Sequence, residues 1–486
     1  MLFNSPEFLL FLPIVFGLYW FVVQKNLKAQ NILILAASYF FYGWWDWRFL
    51  GLIALSTVVD YTVGLQIDKH TEEKKRKLWL WVSLLVNLGL LGYFKYTNFF
   101  IESWVDAWSA LGVKMHTSTL QIILPIGISF YTFQTMSYAL DIYRGQLKPT
   151  RNFLNFAAFV SFFPQLVAGP IERASRLLPQ IESRRVFKYE EGVAGLRLIL
   201  WGMFKKVVVA DTCAIYVNDI FANYTEYSGP TLILGMVYFA FQIYGDFSGY
   251  SDIAIGTAKL FGIQLMTNFK TPFFSKSIPE FWNRWHISLN TWMNDYVFFP
   301  MAFAFRQRGK WGVGLAVMLT FLISGFWHGS EWKFVIWGGI HGLAFLPYIA
   351  MSKGPVRLFE SHKEKHGSTS ILNLKSFILM LIPFAVNLFA WVFFRADSVG
   401  EAVRYLERIT EPTSWLFPHI ESSSFSILAI FSTLLLDGIS QSTRLSLIWS
   451  RKSYFLMRLF LYLIALTVLH YAWITNNQNT FIYFQF

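Results

Sequence analysis

Apolar residues come in solid blocks along this chain, separated by short polar or basic loops. Runs of roughly 18 or more apolar residues recur, each long enough to cross a bilayer as a helix. They predict spans near 7–24, 31–47, 50–67, 78–95, 119–140, 193–221, 229–246, 312–328, 332–351, 376–396, 424–441 and 455–474. The count is about twelve, within a range of about 11–13. Two further apolar stretches, near 153–168 and 251–268, do not fit the charge alternation as full spans and read as re-entrant or interfacial segments. Solid blocks also exclude a transmembrane barrel, whose strands alternate in segments of about ten residues. The expected fold class is an all-α polytopic membrane protein.

Composition agrees with the pattern. Of 486 residues, 55% are hydrophobic and only 14% are charged, against about 25% charged in a soluble domain. Soluble, disordered and fibrous classes are excluded. The net charge of +12 would suggest nucleic acid in a soluble protein. Here the excess lies in short loops, so it reads as orientation, with membrane lipid and not nucleic acid as the surrounding partner. The basic loops at 69–77, 144–151, 173–188, 270–310, 353–365 and 444–458 belong in the cytosol. The loops at 223–229 and 396–414, and the tail after 476, belong outside, as do both termini. The first block lacks a basic leader and a small-residue cleavage site, and is followed by Lys25 and Lys28. It reads as a retained span. Cys213 is the one cysteine, so no internal disulfide forms. Zinc, P-loop and dinucleotide signatures are all missing, and no metal or permanently bound cofactor is expected.

The stretch 270–310 has another pattern. Ser277 is placed to cap a helix with Pro279 and Glu280 in its first turn. Phe281, Trp285, Leu289, Trp292 and Tyr296 recur at helical spacing, which predicts one amphipathic helix lying in the membrane interface.

Ionisable residues inside apolar blocks are costly and mark candidate chemistry. His328 ends one predicted span, with Gly325 and Gly329 beside it and Trp327 and Trp332 flanking it. It reads either as a base that takes a proton from a hydroxyl or as a packed histidine. His286 follows Asn283, Arg284 and Trp285, and on spacing alone reads as a polar-face histidine turned to headgroups. His341, about one span after His328, either hydrogen-bonds across a hairpin or packs in the core. His70, His362 and His366 lie in charged loops and read as solvated. Asp246, Ser248, Tyr250 and Asp252 interrupt apolar sequence together with Gly245 and Gly249. They read as a helix break beside a cavity, or as an ion site on a discontinuous helix. The last six residues, 481–486, carry four aromatics; they read as an interfacial anchor or as a docking tail whose Tyr483 hydroxyl is the nucleophile-like atom.

Taken in order, several motifs resemble the bacterial cell-envelope branch of the membrane-bound O-acyltransferase family. They are the opening 2–13, Leu124-Pro-Ile-Gly-Ile-Ser-Phe-Tyr, Phe163-Pro-Gln-Leu-Val-Ala-Gly-Pro-Ile, Asp246-Phe-Ser-Gly-Tyr-Ser-Asp, Phe281-Trp-Asn-Arg-Trp-His-Ile-Ser-Leu and Phe326-Trp-His-Gly. That branch includes alginate and peptidoglycan O-acetyltransferases and the teichoic-acid D-alanylation acyltransferase. Asn283 departs from the pattern, since relatives often carry a second arginine there.

The resemblance implies helices around a central tunnel in one membrane domain over 1–486. N-terminal helices would occupy 1–118, the tunnel core 119–396, C-terminal helices 397–475 and an extracytoplasmic tail 476–486. It implies His328 as the catalytic histidine and His286 as the second family histidine, nearer the cytosolic entrance. Asp246, Ser248, Tyr250, Asp252, Arg284, Trp285 and Trp327 would contribute to the tunnel and its polar cluster. The donor would be a cytosolic thioester, acetyl-CoA or an acyl-carrier thioester. Tyr483 would relay the acyl group to an extracytoplasmic SGNH/serine-hydrolase-like acetyltransferase that modifies a polysaccharide. D-alanyl transfer to teichoic acid, a transporter of a lipid-linked sugar or small acid, and a non-catalytic scaffold are the alternatives.

Overall fold

The structure is a computed structural model that describes residues 1–113, 120, 122–352, 374–415 and 424–440, with 462, 466 and 469. Among the described residues the regular structure is helical, without strands. Five helical stretches are long and apolar enough to cross a membrane by length and composition: Leu27–Lys69, Glu73–Ala110, Arg306–His328, Trp332–Met351 and Leu374–Arg395. They cover six of the predicted spans. Shorter apolar helices, Pro6–Val22 and Ser426–Gly438, lie at two more. The helices Ile128–Tyr143, Tyr189–Met203, Asp211–Ala222 and Gly229–Leu260 occupy the blocks at 119–140, 193–221 and 229–246. The tail 476–486 and nearly all of 455–474 lie outside the described residues. The protein is an all-α polytopic membrane protein.

The chain forms two compact units, Met1–Ile199 with Ser251–Met266, and Leu200–Tyr250 with Thr267–Phe486. In the first, a carboxylate sits inside a predicted span. Asp60 is fully buried. Ser83 donates to its Oδ1 at 2.5 Å and Asn87 Nδ2 to its Oδ2 at 2.8 Å. Asn87 Oδ1 in turn accepts from Ser56 and Thr135, both at 3.1 Å. A buried polar atom without such partners costs several kcal/mol in apolar surroundings. This network therefore fixes the register of the helices Leu50–Lys69, Glu73–Leu91 and Ile128–Tyr143. The apolar stretch at 153–168 forms two short helices, Phe153–Ser161 and Phe163–Leu166. Residues 156–168 are buried in protein, so this part is not a surface-lying segment.

The second unit contains two close helix contacts, each made by glycine. The helix Gly229–Leu260 runs for 32 residues without interruption. This corrects two sequence expectations, a break at Asp246–Asp252 and a separate segment at 251–268. The residues that look like breakers are contact residues. A Cβ on Gly245 would meet the Lys205 carbonyl oxygen at 2.8 Å, and one on Gly249 the Gly202 carbonyl oxygen at 2.7 Å. Small residues let two helix backbones touch. The hairpin Gly309–His328 and Trp332–Met351 is packed in the same way. A Cβ on Gly325 would lie 2.2 Å from the Phe334 carbonyl oxygen, and one on Gly338 2.2 Å from that of Phe321.

The hairpin contact generates a paired test. Gly338→Ala should destabilise the purified protein in detergent by about 1–3 kcal/mol, read as a lower melting temperature. Gly339→Ala adds a Cβ only 3.7 Å from Leu322 Cδ2 and should leave it unchanged. Equal melting temperatures for both variants would contradict the backbone contact.

Candidate active site

The site is built on a helix that stops and restarts. Ser277 caps the helix Ile278–Arg284 by accepting the Glu280 N–H at 3.2 Å, as the sequence predicts. Glu280 in turn accepts the Lys276 N–H at 2.8 Å, one residue before the cap. The helix then ends. His286 takes φ 45° and ψ 51°, in the left-handed region, and a second helix runs over Ile287–Met293. The single amphipathic helix expected here is thus two. Side-chain amides make the break. Asn290 Nδ2 donates to the carbonyls of Trp282 at 2.6 Å and Trp285 at 2.5 Å, which a continuous helix would have kept for its own N–H groups. From the preceding segment, Asn268 Oδ1 accepts the Ser288 N–H at 3.2 Å and its hydroxyl at 2.9 Å, while the Asn268 carbonyl accepts the Ile287 N–H at 2.9 Å. A non-glycine residue in this conformation costs about 1–3 kcal/mol, and these bonds offset it.

The break turns His286 inward. Its side chain is fully buried, which corrects the reading of a histidine facing headgroups. Nδ1 lies 3.2 Å from Asn268 Oδ1. The ring sits edge-on to Phe247, with centroids 4.6 Å apart. His328, the last residue of Gly309–His328, is also buried. Its ring is 6.3 Å from that of His286, and Trp327, Trp337 and Phe394 surround it at 4.8, 5.0 and 5.7 Å. Trp327 also lies 6.3 Å from His286. Two histidines distant in sequence are therefore neighbours inside an aromatic shell. Burial pushes the His286 imidazole down to about 3, so it is neutral near pH 7. A neutral imidazole places no standing charge in these apolar surroundings.

The other predicted residues divide. Trp285 is buried, stacked on Phe281 at 5.5 Å and near Trp391 at 5.2 Å. Arg284 forms an ion pair with Glu280 at 2.8 Å and donates to Thr271 at 3.3 Å. Asp246 is buried and pairs with Lys206 at 2.7 Å, which also holds Asp211 at 2.9 Å. Ser248 and Tyr250 are buried on the same helix. Asp252 belongs to the other unit. His341 is packed in the core against Trp282 and Trp337, each at 4.9 Å, and neither ring nitrogen has a hydrogen-bond partner among the described residues. Tyr483 lies outside the described residues. Sequence reasoning missed Lys206 and Asp211, although charges inside the block at 193–221 were a usable signal. Asn268 and Phe247 carried no such signal. Among the described residues, no group of three His, Cys, Asp or Glu side chains is arranged to hold a metal.

Residues 146–391, which contain both histidines, match the MBOAT, membrane-bound O-acyltransferase family. A probable alginate O-acetylase of Azotobacter vinelandii is 37% identical over 440 residues, covering 90% of this chain and 83% of that protein. The chain belongs to the membrane-bound O-acyltransferase family. As a membrane-bound O-acyltransferase it is an enzyme, and the family match takes in most of the second unit. A peptidoglycan O-acetyltransferase of Helicobacter pylori is 36% identical over 437 residues, 84% of this chain and 79% of that protein. A teichoic acid D-alanyltransferase of Bacillus subtilis is 29% identical over 243 residues, 48% of this chain and 61% of that protein.

A pH dependence follows from His286. Its folded pKa lies below its ordinary value of 6.5, so between these values the unfolded chain binds the extra proton. The stability tied to its neutral form is complete above about 6.5 and declines as pH falls toward about 3. Melting temperatures across that range should fall less steeply for His286→Phe than for the parent protein; identical slopes would contradict the buried neutral imidazole.

Proposed function

We propose that this enzyme moves an acetyl group from a cytosolic thioester across the inner membrane for O-acetylation of a cell-envelope polysaccharide, either peptidoglycan or an alginate-like exopolysaccharide. The observation that carries the reading is the buried pair His286 and His328, 6.3 Å apart within aromatic walls, in a chain whose likeness to an alginate O-acetylase covers 90% of it and to a peptidoglycan O-acetyltransferase 84%. The basic loops face the cytosol and both termini face outward, which puts the tail on the acceptor side.

In this mechanism acetyl-CoA, or a carrier-protein thioester, enters a tunnel from the cytosol. His328 takes the proton of an acceptor hydroxyl as its oxygen attacks the thioester carbonyl carbon. The C–O bond forms, the C–S bond breaks, and the thiolate leaves with the proton that His328 returns. A weak oxygen nucleophile needs such a base. A base in this role needs an imidazole nitrogen with its lone pair available. The acceptor is Tyr483, which carries the acetyl group as an ester to an extracytoplasmic serine-hydrolase-like partner. That partner selects the polymer.

Labelled acetyl-CoA supplied to membrane vesicles holding the protein tests the scheme. His328→Ala should lower acetyl transfer by at least about a hundredfold, with protein abundance unchanged; transfer at the parent rate would overturn the assignment. Tyr483→Phe should abolish polymer acetylation, and mass spectrometry of the parent tail should find an acetyl group on Tyr483. Full polymer acetylation by Tyr483→Phe would remove the relay from the scheme.

A further inference from the structure

The hydrogen bonds around Asn268 determine more than the helix break. Asn268 is fully buried. Its side-chain amide presents one atom to three groups: the Ser288 N–H at 3.2 Å, the Ser288 hydroxyl at 2.9 Å and His286 Nδ1 at 3.2 Å. A backbone N–H only donates, so the atom it meets is the amide oxygen, and the usual ambiguity of an asparagine flip is resolved. An amide oxygen only accepts. His286 Nδ1 must therefore carry the hydrogen, and in a neutral imidazole the lone pair is then on Nε2.

We infer that Asn268 is a positioning residue that locks His286 in the Nδ1–H tautomer, with the ring's lone pair on Nε2. The partner is an amide and not a carboxylate, which fixes the ring without placing a negative charge beside it. Histidines that act on protons or metals are commonly oriented through their second nitrogen in this way. The same oxygen holds Ser288 at the start of the Ile287–Met293 helix, so the left-handed backbone of His286 and the tautomer of its ring are set by one atom. The inference rests on the proposed reading only for its consequence on rate; the tautomer itself does not depend on it.

Nitrogen NMR of the full-length protein, labelled with 15N in its histidine rings, reads the tautomer directly. The His286 signals are assigned by their loss in His286→Gln. The parent protein should show a protonated Nδ1 and an unprotonated Nε2 at His286; the opposite tautomer would overturn the inference without any Asn268 variant. Asn268→Leu should abolish the single-tautomer signature and lower kcat by about ten- to a hundredfold, while KM for acetyl-CoA changes less than about twofold. Asn268→Asp keeps an oxygen at the position and should restore the Nδ1–H signature. An Asn268→Leu protein with the parent tautomer and parent kcat would reject the positioning role. Parent activity in His286→Ala would instead reject a rate role for His286, and the tautomer result would still decide what Asn268 does.

Discussion

The helix break at His286 exists because asparagine side chains take over backbone hydrogen bonds that a continuous helix would have made. Inside apolar protein, every carbonyl and N–H released by such a break must find a new partner. Asn290 takes the carbonyls of Trp282 and Trp285, and Asn268 bonds the restarting helix from the other side. Without those amides the carbonyls of Trp282 and Trp285 would be left to their own helix, and the left-handed backbone at His286 would go uncompensated. With them His286 is buried against Phe247 and brought beside His328. The inward turn of one imidazole thus depends on two uncharged side chains.

His328 depends on a different constraint, backbone contact between neighbouring helices. Gly325 and Gly338 let the two arms of the hairpin approach until only hydrogen atoms fit between them. Trp337, one residue before Gly338, then lies edge-on to His328 at 5.0 Å. The aromatic shell does for the site what a carboxylate would do elsewhere: it fixes ring orientation. It does so by shape and quadrupole, each ring pair contributing about 0.5–1.5 kcal/mol beyond its buried area, and without adding charge. One buried charge cluster of this unit, Lys206 with Asp211 and Asp246, is paired within itself.

Much of this was legible in the sequence, and the exceptions share a cause. The helical class and most spans follow from apolar blocks too long for anything but membrane helices. The Ser277 cap is local, and so it was readable. The break at His286 was not, because one of the two residues that make it, Asn268, lies outside the helical pattern and acts through tertiary contact. The Gly245–Asp252 stretch misleads in the opposite direction. Glycine, serine and aspartate discourage a helix in isolation, but here Gly245 and Gly249 face another helix and Asp246 a buried lysine, where small size and charge are needed. His341 looked like a possible bonding partner and is a packed ring; nothing local distinguishes these fates.

The uninterrupted helix Gly229–Leu260 also has a mechanical consequence. At 1.5 Å per residue its 32 residues extend about 48 Å, whereas the hydrocarbon core of a bilayer is about 30 Å thick. Such a rod cannot stand upright within the hydrocarbon; it must lean, or its ends must reach past the lipid tails. Phe247 and Asp246 ride on this rod, one against His286 and the other on Lys206. Any lean of the rod carries both contacts with it, since Asp246 and Phe247 are adjacent residues of one helix.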